Sequence, residues 1–206
     1  MNWRLASRLS VITLAILVVI VVTLLQHNLS GTSQDKTTNT TGSQGTDLGK
    51  TPAPGFTLTD QNGKQVSLAQ FKGQPVILTF LYTHCPDLCP LTAEKLHTVM
   101  LNLGSDAHKV AVLAVSTDPA RDTTDAALNF SKAHQMQDYW HYLIGTQNSL
   151  SPVWSAYNIF AQAQTQTVNH TVAIYVIDKQ GRERTYFGNE FTSSQLTTNL
   201  QQLLKE

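Results

Sequence analysis

Hydrophobic and polar positions divide the chain into three regions. From Leu9 to Leu25 the residues are almost continuously apolar, interrupted by Ser10, Thr13 and Thr23. About 17 such residues is the lower limit for a helix crossing a hydrocarbon core. Arg4 and Arg8 precede the run and no Lys or Arg follows it until Lys36, a bias that predicts a cytoplasmic N-terminus and an extracytoplasmic body. A cleaved signal peptide is the alternative, but its apolar part is shorter and ends in a small-x-small site, whereas this run exits through Leu24-Leu-Gln-His-Asn-Leu-Ser-Gly31. Residues 1–26 are therefore read as an N-terminal transmembrane helix. Residues 27–50 are rich in Ser, Thr, Gly, Gln, Asn and Asp; too little apolar surface is present to offset ordering entropy, so they read as a flexible linker. Residues 51–206 form the single remaining domain.

Within that domain the apolar pattern alternates between strand and helix. Phe56–Thr59 and Lys64–Ser67 flank Gln61-Asn62-Gly63, a hairpin signal. Pro75–Tyr82 is a short apolar run rich in strand formers, as expected of a central buried strand. Beyond Pro90, the apolar residues Leu96, Val99, Met100 and Leu103 share one helical face, ending near Gly104. Val110–Val115 reads as a second buried strand, and Asp118-Pro119 as the cap and first residue of a helix running to about Ala133. Tyr142–Ile144 is a third strand candidate, and Ser151–Tyr157 a short helix. Val172–Ile177 and Glu183–Phe187 flank Lys179-Gln-Gly181 as a second hairpin. Thr192 and Gln195 make a capping box for a last helix with Leu196, Leu200, Leu203 and Leu204 on one face. This order implies an α/β domain of thioredoxin-like fold, with a mixed central sheet and flanking helices.

Charge and cysteine content narrow the chemistry. Lys plus Arg and Asp plus Glu number 14 each, and with no basic run, nucleic acid is excluded as a partner. The two cysteines, Cys85 and Cys89, lie in one motif, Cys85-Pro-Asp-Leu-Cys89-Pro90, not spread as a stabilising framework would be. At a strand-to-helix junction, the free N–H groups and dipole of the helix N-terminus favour thiolates. Three readings of the pair remain at this point: buried structural thiols, a redox dithiol able to close as a Cys85–Cys89 disulfide, and a metal site. A three-residue spacer is looser than that of redox CxxC motifs.

Two thiolates under-coordinate most metals, so a third ligand is expected. His84 is adjacent to Cys85 and should point away, and His97 lies about two turns along the next helix. His27, His108, His134 and His141 read as linker, loop or surface positions. His170 precedes the strand Val172–Ile177, which in a thioredoxin-like sheet returns beside the cysteine loop. Two soft sulfurs with one imidazole suit Cu(I), and can also hold Cu(II) or Zn. Asp87 reads as solvated loop, and Arg121 and Asp122 as helix-start electrostatics.

The run Tyr82-Thr-His-Cys-Pro-Asp-Leu-Cys-Pro90 resembles the signature of the Sco/SenC copper proteins. Val115–Thr123, Val168-Asn-His-Thr171, Tyr175–Gly181 and Tyr186-Phe-Gly188 resemble the segments that follow it in that family, in the same order. The resemblance implies Cys85, Cys89 and His170 as copper ligands, with Cu(I) or Cu(II) as cargo. It implies a membrane-anchored metallochaperone that supplies the copper-site subunit of a respiratory terminal oxidase, or a reductase of that subunit's cysteines. No catalytic residue is assigned. Redox relatives in the thioredoxin superfamily keep a cis-proline where this chain has Asn169-His170-Thr171. Leu81 stands where the family commonly has glycine, and Asn169 where an aspartate often precedes the histidine; the latter places a supporting acid beside the metal in doubt.

Overall fold

Six consecutive residues, Val76–Leu81, are buried on both faces of a strand, and the domain is built around them. The computed structural model describes residues 16–23, 45–165 and 167–206. The chain divides into two units, Met1–Thr40 and Thr41–Glu206. In the first, residues 16–23 are helical and exposed; the remainder of the expected anchor, and the linker through residue 44, lie outside the described residues. Among the described residues, no helix is long and apolar enough to cross a membrane.

The second unit runs β1 (Thr46–Pro52), β2 (Thr57–Asp60), β3 (Gln65–Ser67), β4 (Val76–Leu81), α1 (Leu88–Leu103), β5 (Ala111–Ser116), α2 (Thr124–Ala133), β6 (Trp140–Ile144), α3 (Gln147–Ala156), β7 (Ala161–Ala163), β8 (Val168–His170), β9 (Ile174–Ile177), β10 (Arg182–Phe187) and α4 (Ser193–Lys205). Eight strands form one sheet in the order β1-β10-β9-β4-β5-β6-β2-β3, while β7 and β8 pair as a separate small hairpin. β4 lies parallel to β5 and antiparallel to β9, and β5 parallel to β6, so the sheet is mixed, as expected. Alternation along β4 divides the core. Ile77 and Leu81 face the side covered by α1, α2 and α4, through Leu96, Met100, Phe130, Leu196 and Leu200. Val76, Leu78 and Phe80 face Leu150, Val153 and Trp154 of α3 with Leu58 and Val66.

The predicted turn at Asn62-Gly63 is present, with Gly63 at φ 76°, a left-handed conformation that glycine adopts without steric cost. The capping box of α4 also forms: the Gln195 N–H donates to the Thr192 hydroxyl at 3.2 Å, and the Thr192 N–H donates to the Gln195 side chain at 2.9 Å. Replacing Thr192 by alanine is expected to cost about 1 kcal/mol, measurable as a shift in the denaturation midpoint at unchanged slope.

Two expectations are corrected. The domain begins earlier than residue 51: β1 starts at Thr46 and pairs with β10, from Thr46 opposite Tyr186 to Pro52 opposite Arg182. Its residues are mostly exposed and show no apolar alternation; backbone pairing defines it, with a register shift between Asp47 and Thr51. The helix expected at Asp118-Pro119 begins instead at Thr124, capped by the Thr123 hydroxyl, which accepts from the Ala126 N–H at 3.2 Å. Residues 118–122 form a turn whose Arg121 and Asp122 N–H groups donate to the Asp118 carbonyl. Asp122 points inward, which delays the helix.

Candidate metal centre

β4 ends at Leu81 and delivers the chain into the cysteine loop at the N-terminus of α1. Asp87 is the cap residue of α1, but its side chain makes no capping bond and it is exposed. The capping role falls to sulfur: the Cys89 N–H, in the first turn, donates to Cys85 Sγ at 3.4 Å. Both cysteines are free, Cys85 half-buried and Cys89 buried. The Cys89 thiol donates to Cys85, and this bond is the largest cause holding the Cys85 thiol far below its ordinary range, with the N–H groups of Asp87 and Cys89 adding to it. The same bond, followed by burial, pushes the Cys89 thiol up. The opposite shifts come from one shared hydrogen bond, so the two thiols titrate as a pair.

His170 ends β8, opposite Ala161 of β7. Its Nε2 lies 3.7 Å from Cys89 Sγ, and its Nδ1 lies 3.0 Å from the Thr171 carbonyl oxygen. A carbonyl can only accept, so Nδ1 carries the proton. In the neutral ring, Nε2 then presents its lone pair toward the sulfurs. Tyr82, buried beneath, completes the surroundings. Its ring meets the imidazole edge-on, with centroids 5.4 Å apart. Its hydroxyl meets the Val168 backbone and Cys85, and burial chiefly, with the neighbouring sulfurs, raises its phenol.

Of the seven histidines, only His170 comes to the sulfurs among the described residues. His84 is exposed, with Nδ1 2.9 Å from the Thr83 hydroxyl. His97 meets the Tyr139 ring and His134 the Phe130 ring. His108 lies in a 3-10 turn. His141 pairs with the buried Asp60 carboxylate at 2.9 Å. His27 lies outside the described residues. Asn169 is exposed; the histidine is oriented by the Thr171 carbonyl rather than by an acid.

Sequence reasoning missed Asp122. Its side chain is buried, with 5% of the residue exposed, and four donors converge on it. The Thr83 N–H and hydroxyl reach Oδ1 at 2.9 and 2.7 Å, and the Ser116 and Tyr142 hydroxyls reach Oδ2 at 2.6 and 3.0 Å. Burial raises its carboxyl above the usual range, against the pull of these bonds. Arg121 turns the other way, to Asp118 at 2.5 Å and over the Tyr82 ring.

Two sulfurs and an imidazole form a soft donor set. Among the described residues, no three His, Cys, Asp or Glu side chains are already gathered in a metal-holding arrangement. The 3.7 Å between Nε2 and the inner sulfur is nevertheless about what two ligands of one ion require at bonds of roughly 2.0–2.3 Å.

A thiol pair at the strand-to-helix junction of a mixed sheet defines a protein of the thioredoxin-like class. More narrowly, the chain belongs to the SCO1/SenC family, matched over residues 44–205. It is 32% identical over 156 residues to the mitochondrial SCO2 homolog of Bos taurus, covering 70% of this chain and 57% of that protein. It thus spans little more than half the length of the curated relatives it matches. The structure of Bradyrhizobium japonicum ScoI with copper bound superposes with a TM-score of 0.67 at 32% identity, over 74% of this chain and 99% of that one. The apo Sco1 protein of Thermus thermophilus gives a TM-score of 0.68 at 29% identity, over 77% and 95%.

Proposed function

We propose that this chain is a copper metallochaperone that acts outside the cytoplasm, held at the membrane by residues 9–25 and a linker. Cys85, Cys89 and His170 hold copper, as Cu(I) or Cu(II), and pass it to the copper-site subunit of a respiratory terminal oxidase. The observation that carries this reading is the approach of His170 Nε2 to Cys89 Sγ, with Nδ1 committed to the Thr171 carbonyl. The copper bound by the Bradyrhizobium relative supports it. Low coordination suits transfer, because a partner's ligands can reach the ion from the side of the half-exposed Cys85 while the buried Cys89 keeps hold. The inner thiol must lose its proton when metal binds, so affinity is expected to rise with pH.

The test is anaerobic titration of the reduced chain with Cu(I) against a competing chelator. One Cu(I) per chain is expected, and His170→Ala should weaken it more than about 100-fold, beyond the range for loss of an orienting neighbour. Unchanged affinity in that variant, together with rapid copper-independent turnover of a disulfide substrate, would overturn the chaperone reading.

A second reading is favoured by the lowered Cys85 thiol: a thiol-disulfide oxidoreductase that reduces the cysteines of the oxidase copper site. There Cys85 attacks and Cys89 resolves, closing a Cys85–Cys89 disulfide.

A further inference from the structure

The loop carrying Cys85 leaves the sheet after Leu81 and has no regular structure before α1, so something must fix where its sulfur stands. At Leu81 the carbonyl accepts from the Thr117 N–H at 2.8 Å and hydroxyl at 3.2 Å. One step further out, Thr83 gives both of its donors to Oδ1 of Asp122. The other oxygen, Oδ2, is held by Ser116 at the end of β5 and Tyr142 in β6. The carboxylate therefore joins the loop to two core strands, two residues before the outer cysteine.

A buried carboxylate is a costly way to make a turn unless its acceptor capacity is used. Among the described residues no salt bridge neutralises Asp122, yet all four of its partners donate. Only an acceptor-only group matches four donors; an amide would turn its own N–H groups against two of them. Nothing in the sheet needs such a clamp, since β4 and β5 already pair along their whole length. What it adds is a fixed path for residues 83–85.

We propose that Asp122, acting through Thr83, is the positioning residue of the metal centre: it holds Cys85 where its sulfur meets both the Cys89 N–H and the copper ligated by Cys89 and His170. This rests on the copper reading above and extends it.

The experiment compares Thr83→Val, Thr83→Ser and Asp122→Asn in the full chain. Thr83→Val removes the hydroxyl donor and keeps the shape. Four quantities are read: the circular dichroism spectrum, the thiolate-to-copper absorption band with Cu(II), the copper affinity by chelator competition, and the rate at which iodoacetamide alkylates Cys85 in the reduced, metal-free chain. Thr83→Val is expected to fold, shift the absorption band, weaken copper binding about tenfold and change the alkylation rate severalfold; Thr83→Ser should restore all three. Asp122→Asn should move the same readouts further. A folded Thr83→Val chain with the original band and alkylation rate overturns the proposal, and it decides the matter alone if Asp122→Asn does not fold. Should the unaltered chain bind no copper, the copper reading fails by itself. The alkylation rate then decides: changed, it upholds the positioning of Cys85; unchanged, it overturns it.

Discussion

Replacing Cys89 with serine is expected to lower Cu(I) affinity on the order of 1,000-fold, about 4 kcal/mol at 1.4 kcal/mol per tenfold. The hydroxyl is a hard, weakly acidic donor where Cu(I) needs a soft thiolate. Cys89 Sγ also lies 3.7 Å from His170 Nε2, so its loss removes a member of the proposed ligand set that already meets the imidazole. The substitution is close to isosteric at a position only 1% exposed, so the fold should survive at the cost of about 1 kcal/mol. Chelator competition with a parallel circular dichroism spectrum checks both statements. Retained affinity in a folded variant would remove Cys89 from the ligand set. Cys85→Ser should weaken binding too, while sparing the buried contact to His170.

The second large effect lies at the opposite end of the sheet. Asp178 follows β9 and is 2% exposed. Its carboxylate accepts from the N–H groups of Gln180 and Arg182 at 3.0 and 2.9 Å, and pairs with Arg182 at 2.8 Å and Arg184 at 3.5 Å. Burial alone would raise this carboxyl, but the bonds from Arg182 and Gln180 outweigh it and the net shift is downward. Asp178→Ala is expected to cost about 3 kcal/mol, since it strips a buried ion pair and leaves two N–H groups without their acceptor. For a domain of this size that is a drop in Tm of about 6–12 °C. The pH dependence has a definite sign. The stabilisation is complete above the unfolded value of about 3.9 and is lost as pH falls through the lower folded value. The variant should therefore lie nearest the parent at the most acid pH. Equal Tm values at neutral pH would contradict the assignment.

The parts legible in the sequence were those carried by apolar pattern. Val76–Leu81 and Ala111–Ser116 are buried on both faces and read as continuous apolar runs. Leu96, Val99, Met100 and Leu103 marked the buried face of α1. The site was legible where motif and distance in sequence coincided: Cys85 and Cys89 announce themselves, and His170 follows once the strand after it is placed beside β4. β1 was hidden because its polar residues are tied to β10 by backbone bonds that leave no side-chain trace. β7 and β8 were hidden because each is only three residues long, Ala161–Ala163 and Val168–His170, too short for any periodicity to show. Asp118-Pro119 is a helix-start signal overridden by tertiary structure, because Asp122 is drawn inward to Thr83. The roles of Asp122 and of the Thr171 carbonyl arise only when separate segments meet, so no local pattern records them.

The strand order also bears on synthesis. β4 has one neighbour close in sequence, β5, but its other neighbour is β9, with Val76 opposite Ile177. A ribosome has therefore made the cysteine pair some 90 residues before the strand that closes the sheet beside it. For that interval the nascent chain carries both thiols next to an unpaired strand edge, without His170. Pairing across so long a separation forms slowly and exposes edges to misassembly. The emerging chain is thus open to oxidants and to stray metal at a stage when the finished protein's shielding of Cys89 does not yet exist.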